Sequence, residues 1–99
     1  MKKLVRNKIP QIIADSGKQA TYHVATRSEQ HDWLYKKMVE EAGEFHEDPS
    51  AEEAADVYEV WMAMCEHHGL DPWSVIELAA EKRKLRGGFD DRIILEAVK

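Results

Sequence analysis

Two stretches of this chain carry residue types and spacings that could do chemistry: Glu40-Glu41-Ala42-Gly43-Glu44 and Glu53-Ala54-Ala55-Asp56. Residues three apart on a helix are neighbours, with Cβ atoms about 5–6 Å from each other. Glu41 with Glu44, and Glu53 with Asp56, each form a pair on one helix face. Two such pairs brought together across a helix hairpin make an all-oxygen site suited to Mg²⁺ or Mn²⁺, hard cations that take carboxylate and water ligands. Acidic runs on helices are ordinarily solvated, and Glu53 has a simpler use as the capping-box partner of Ser50. The helical wheel weighs against pure solvation. At about 100° per residue, Glu41 falls about 20° from Leu34, at the edge of an apolar arc of Leu34, Phe45, Met38, Ala42 and Val39, with Glu44 about 60° beyond it. Glu53 lies among Val60, Met64 and Val57, in the middle of its helix's apolar face, and Asp56 lies at the border of that face. Inward carboxylates are costly unless a cation compensates them. Glu40 points further outward, as an outer-sphere group, a base or a solvated residue. His67 also faces inward, where a lone histidine is more often packed than ligating.

The opposite charge lies further along. Lys82 and Arg86, one turn apart, fall on the same side of a helix as Val75, Leu78 and Ala79, while Lys84 and Glu77 point away. Basic residues at a helix C-terminus complement its dipole, which accounts for their presence but not for the face they occupy. With the N-terminal Lys3, Arg6 and Lys8 they form a set that could grip phosphate oxygens beside a metal.

Four helices are expected to position these groups. The first spans about 8–16, with Asn7 as N-cap and Gly17 as terminator. Ser28 can cap a second helix reaching Glu47, ended by Asp48-Pro49. Ser50 opens a third that closes at Gly69, and Asp71-Pro72 starts a fourth that runs to about Arg86 before Gly87-Gly88. Residues 20–26 and 92–95 are rich in strand formers and predict a minor two-stranded element. Val57, Tyr58, Val60, Trp61, Met62, Met64 and Cys65 make the third helix apolar nearly all round. Such a helix must be covered on several sides, so a partner subunit is expected. Trp33, Trp61 and Trp73 are read as core or interface residues.

Composition sets the outer bounds. Ninety-nine residues make one domain, 1–99, with room for only a modest core. The formal charge of −5 argues against sequence-blind nucleic-acid binding, which rests on phosphate neutralisation. The single Cys65 excludes an intrachain disulfide and a cysteine metal cage. The longest apolar run, Val60–Cys65, is far too short for a membrane span, and the interrupted N-terminus does not read as a signal peptide. A cytoplasmic location is expected.

These residues resemble a family pattern. A Glu-Glu-x-x-Glu helix followed by a Glu-x-x-Asp helix is the signature of the MazG-like all-α nucleoside triphosphate pyrophosphohydrolases, a superfamily that includes phosphoribosyl-ATP pyrophosphohydrolase and the dimeric dUTPases. A subgroup of small house-cleaning pyrophosphatases opens with Lys-Leu-Val-Arg-Asp-Lys-Ile-Pro, matched here by Lys3-Leu4-Val5-Arg6-Asn7-Lys8-Ile9-Pro10. It carries Lys-x-x-x-Arg-Gly-Gly-Phe near the end, matched by Lys82, Arg86, Gly87, Gly88 and Phe89. The resemblance implies a mainly α, four-helix domain assembled as a homodimer or a dimer of dimers. It also implies Mg²⁺-dependent cleavage of a nucleoside triphosphate between the α and β phosphates, with Mn²⁺ as a substitute ion. Carried over by position, Glu41, Glu44, Glu53 and Asp56 would bind the metal, Lys82 and Arg86 would hold phosphates with help from Arg6 and Lys8, and Glu40 or Glu41 would take a proton from the attacking water. Asn7 departs from the usual Asp. The short link between Glu44 and Glu53 leaves little room for a base-recognition loop, so broad nucleotide selectivity is expected. A non-catalytic nucleotide- or metal-binding regulatory module and the phosphoribosyl-ATP enzyme are the alternative readings.

Overall fold

The computed structural model describes residues 2–99. The chain is all-helical, in the order α1 (Ile9–Asp15), α2 (Arg27–Glu47), α3 (Ala51–His67) and α4 (Pro72–Arg86). The two long helices form an antiparallel hairpin through the tight connection 48–50. Arg27 at the start of α2 donates to the carbonyl of His67 at the end of α3, 2.6 Å away.

Local chemistry explains most of the boundaries. Ser50 accepts the amide of Glu53 (3.2 Å) and Asp71 accepts that of Trp73 (3.3 Å), so both expected N-caps are in place. Pro72 occupies the first turn of α4, where a missing N–H costs nothing. Gly87 ends the same helix at φ +82°, a backbone conformation that side-chain-bearing residues rarely adopt. The cap of α2 is Thr26, not Ser28: Thr26 and Glu29 exchange reciprocal side-chain-to-amide bonds of 3.1 and 3.2 Å. Thr26 wins because its third residue on is a glutamate, which satisfies a second orphan amide. At α1 the half-in position is held by Lys8 without a side-chain cap, displacing the expected Asn7 by one residue.

No strand forms among the described residues, which corrects the expected two-stranded element. Segments 20–26 and 92–95 are both irregular. Val24, Ile93, Ile94 and Leu95 are largely exposed. Two short strands lacking a third strand or a covering helix are at best marginal in water, and here neither finds an apolar surface to lie on.

The core is narrow. Leu34, Val60 and Cys65 are the buried apolar residues, all on the α2–α3 hairpin. Helix α4 touches α3 but not α2. Beyond it, Phe89, Ile93, Ile94, Leu95 and Val98 lie in solvent. The radius of gyration is 17.5 Å, against about 13 Å for a compact domain of this length. No helix among the described residues is long and apolar enough to cross a membrane.

The hairpin seam therefore carries the fold. Leu34→Ala is expected to cost about 2–5 kcal/mol, the usual range for a buried leucine, read as a shift in the denaturation midpoint. A change below 0.5 kcal/mol would place the stabilising contacts elsewhere.

Candidate metal centre

The carboxylates converge where the wheel placed them. Glu41 is 6% exposed, in the α2–α3 seam. Glu53 and Asp56 are half-buried on the facing helix, and Glu44 is exposed at the rim. Two trios emerge, Glu41 with Glu53 and Asp56, and Glu40 with Glu41 and Glu44; in each, one ligand atom per residue lies within 4.8 Å of the others. Glu41 belongs to both. Glu40 is less exposed than Glu44, contrary to its expected outward position, because lysines cover it.

Those lysines are part of the site. Lys37 Nζ sits 3.3 Å from Glu40 Oε2 and 3.1 Å from Glu41 Oε1. Burial alone would lower the Lys37 pKa, but the bonds and charges of Glu41 and Glu40 outweigh it and hold the ammonium above its usual range. Lys3 Nζ approaches Glu40 Oε1 at 3.7 Å. Arg6 donates from Nη2 to Asp56 Oδ1 at 2.7 Å, tying the N-terminal segment to α3. Lys37 was missed in the sequence, although its i+3 and i+4 spacing to Glu40 and Glu41 was a signal that could have found it.

These cations leave the cluster undercompensated. Five carboxylates (Glu40, Glu41, Glu44, Glu53, Asp56) face three cations (Lys3, Arg6, Lys37). Glu41 Oε2 and Glu53 Oε2 are buried with no hydrogen-bond partner. Native structures rarely leave such an oxygen unmatched, and a bound ion is one of the recognised explanations. The Glu44 carboxyl is pushed above its usual range by its close contact with Glu41, then by Glu41's charge and by burial. Glu53 is raised by burial first, then by the charges of Asp56, Glu41 and Asp48. Oxygen-only donors, two of them unmatched, in a cluster short of positive charge fit a hard divalent cation such as Mg²⁺ or Mn²⁺.

The remaining candidates are not gathered here. Lys82 and Arg86 are exposed on α4, and α4 makes no contact with α2. Lys8 is exposed and makes no ion pair with the cluster. Trp33 is half-buried beneath Lys36, whose Nζ lies 4.5 Å from the ring, and Trp61 is half-buried on α3. Trp73 is 68% exposed, so within one chain it is not a core residue.

Comparison with known protein families, characterised proteins and solved structures returns no match.

The raised carboxylates link stability to pH and metal. Glu44 and Glu53 bind protons more tightly when folded, so their contribution is present at acidic pH and lost as pH rises through their shifted pKa values. A cation that neutralises them should restore that loss. The melting-temperature gain from millimolar Mg²⁺ is therefore expected to be larger near pH 7.5 than near pH 5, and to shrink in Glu53→Gln. Equal gains at both pH values, unchanged in the variant, would contradict a metal at these carboxylates.

Proposed function

We propose that this chain is a divalent-cation-dependent nucleotide pyrophosphohydrolase of the MazG-like kind, acting on nucleoside triphosphates to give a monophosphate and pyrophosphate. One observation carries the reading: the buried Glu41, with an unpartnered oxygen, stands in a cluster with Glu53, Asp56 and Glu44 that is short of positive charge. Glu41, Glu53 and Asp56 would hold the ion, with Glu44 at the rim. The chemistry that an ion held there, most simply Mg²⁺, would supply is neutralisation of phosphate oxygens and acidification of a bound water.

The chain's own residues supply the rest. Glu40, half-exposed beside the ligands and oriented by Lys3 and Lys37, would accept the proton of the attacking water in this reading. Arg6, already on Asp56, stands within the cluster as an additional donor to phosphate oxygens. Lys82 and Arg86 would steady the departing pyrophosphate.

Lys82 and Arg86 are exposed and form no ion pair with these carboxylates within one chain, so in this reading the two cations come from the second copy of a homodimer. The exposed Leu78, Leu85 and Phe89 around them favour such an interface. Broad nucleotide selectivity, as a cytoplasmic house-cleaning enzyme would need, accords with the little room that the short connection between α2 and α3 leaves for a base-recognition loop.

Incubation with Mg²⁺ and a panel of standard and damaged nucleoside triphosphates is expected to release pyrophosphate and monophosphate. Glu41→Gln and Glu53→Gln should each lose at least about a hundredfold in rate with helicity intact, from loss of metal affinity and of the ion's charge stabilisation. Orthophosphate as the first product would overturn the assignment. Metal uptake without turnover would favour a binding module.

Subunit complementation tests the assembly. Glu41→Gln and a Lys82→Ala/Arg86→Ala variant, each inactive alone, should recover up to about a quarter of wild-type activity when mixed, since half the dimers are then hybrid with one intact site. Failure to recover after verified subunit exchange would place both sets of residues in one chain.

A further inference from the structure

The opposite end of the α2–α3 hairpin carries a second cluster that the carboxylate chemistry does not use. His31 lies on the second turn of α2, His67 is the last residue of α3, and His68 caps that helix. The ring centroids are 5.8 Å apart for His31 and His67, 5.3 Å for His31 and His68, and 5.0 Å for His67 and His68. One ring nitrogen from each residue lies within 4.8 Å of the other two. Ten residues of helix separate His31 from Glu41, a rise of about 15 Å, so no single ion could serve both groups.

Three features distinguish this cluster from ordinary aromatic packing. His31 and His68 are exposed, so hydrophobic burial does not drive them together. His67 Nδ1 lies 3.3 Å from Gln30 Oε1, and the tautomer that donates Nδ1–H to that oxygen leaves the Nε2 lone pair free. A second hydrogen bond of this kind is the usual companion of a metal-ligating imidazole. The guanidinium of Arg27 is turned onto the His67 carbonyl at 2.6 Å.

We propose that His31, His67 and His68 form a transition-metal site, of the Zn²⁺ class, that staples the start of α2 to the end of α3. Imidazole nitrogens suit Zn²⁺ and its neighbours and are poor ligands for Mg²⁺, so the two ends of the hairpin select different ions. A tetrahedral Zn²⁺ with bonds of about 2.0–2.1 Å places its ligand nitrogens about 3.3 Å apart. The exposed rings of His31 and His68 can close that distance by rotation about their side-chain bonds. The fourth position faces solvent and would take water.

The test is calorimetric titration of the metal-stripped full chain with Zn²⁺ in excess Mg²⁺, the Mg²⁺ occupying the carboxylates. One Zn²⁺ per chain is expected at micromolar or tighter affinity. His31→Gln and His68→Gln, both at exposed positions, should each weaken it by at least about tenfold with unchanged circular dichroism, and Glu41→Gln should leave it as it was. Absence of Zn²⁺ uptake in excess Mg²⁺ overturns the proposal. So does uptake that only one histidine variant, or neither, weakens, and so does uptake that Glu41→Gln abolishes.

Discussion

Glu41 is among the most buried residues of the chain, in a seam whose other buried members are Leu34, Val60 and Cys65. A carboxylate in that position is stable only when compensated, because the desolvation cost of an unpaired buried charge exceeds what neighbouring apolar contacts return. Lys37 reaches one of its oxygens from a turn earlier on the same helix; the other oxygen has nothing. Much of the architecture follows from that residue. The tight connection at 48–50 and the cap at Ser50 bring Glu53 and Asp56 opposite it, and Arg6 draws the N-terminal segment against Asp56.

Charge is distributed along the hairpin in an ordered way. The closed end, near the connection, gathers carboxylates with lysine and arginine at their edge; the open end gathers imidazoles. Neither group sits in a deep cavity. Both draw their precision from the two helices: a residue on one long helix keeps its height relative to a residue on the other as long as the seam between them is packed. Leu34 and Cys65 hold the imidazole half and Val60 the middle, so the same few apolar contacts set the geometry of both ends.

Much of this was legible in the sequence. Helix boundaries followed from Ser50, Asp71-Pro72 and Gly87, whose chemistry is local and needs no tertiary information. The inward placement of Glu41 and Glu53 followed from the wheel, because a hairpin of two long helices has only one seam to face. What could not be read depends on competition or distance. Thr26 outcompeted Ser28 as a cap through Glu29. Residues 20–26 and 92–95 have strand propensity, but propensity forms no sheet without a surface to cover. The pairing of Arg6 with Asp56 spans fifty positions and leaves no periodic trace. The histidines escaped because His67 was weighed alone, while its companions lie one position and thirty-six positions away.

Helix α4 carries the remaining argument. A chain of 99 residues can bury one hairpin seam and little more, and α4 has no buried residue within its own chain. On that helix, Leu78, Lys82 and Leu85 fall within about 60° of one another, with Arg86 one turn beyond Lys82. Any surface that covers the leucines must therefore also receive the two cations. Such a surface has to be apolar with negative charge at its border, since desolvated cations need partners as much as buried carboxylates do. Among the described residues, the α2–α3 hairpin has that character, with its exposed Val39 and Phe45 on the helix that bears Glu40, Glu41 and Glu44. The homodimer proposed above, with the α4 of one copy lying along the hairpin of the other, would meet the apolar requirement of α4 and the charge deficit at Glu41 together.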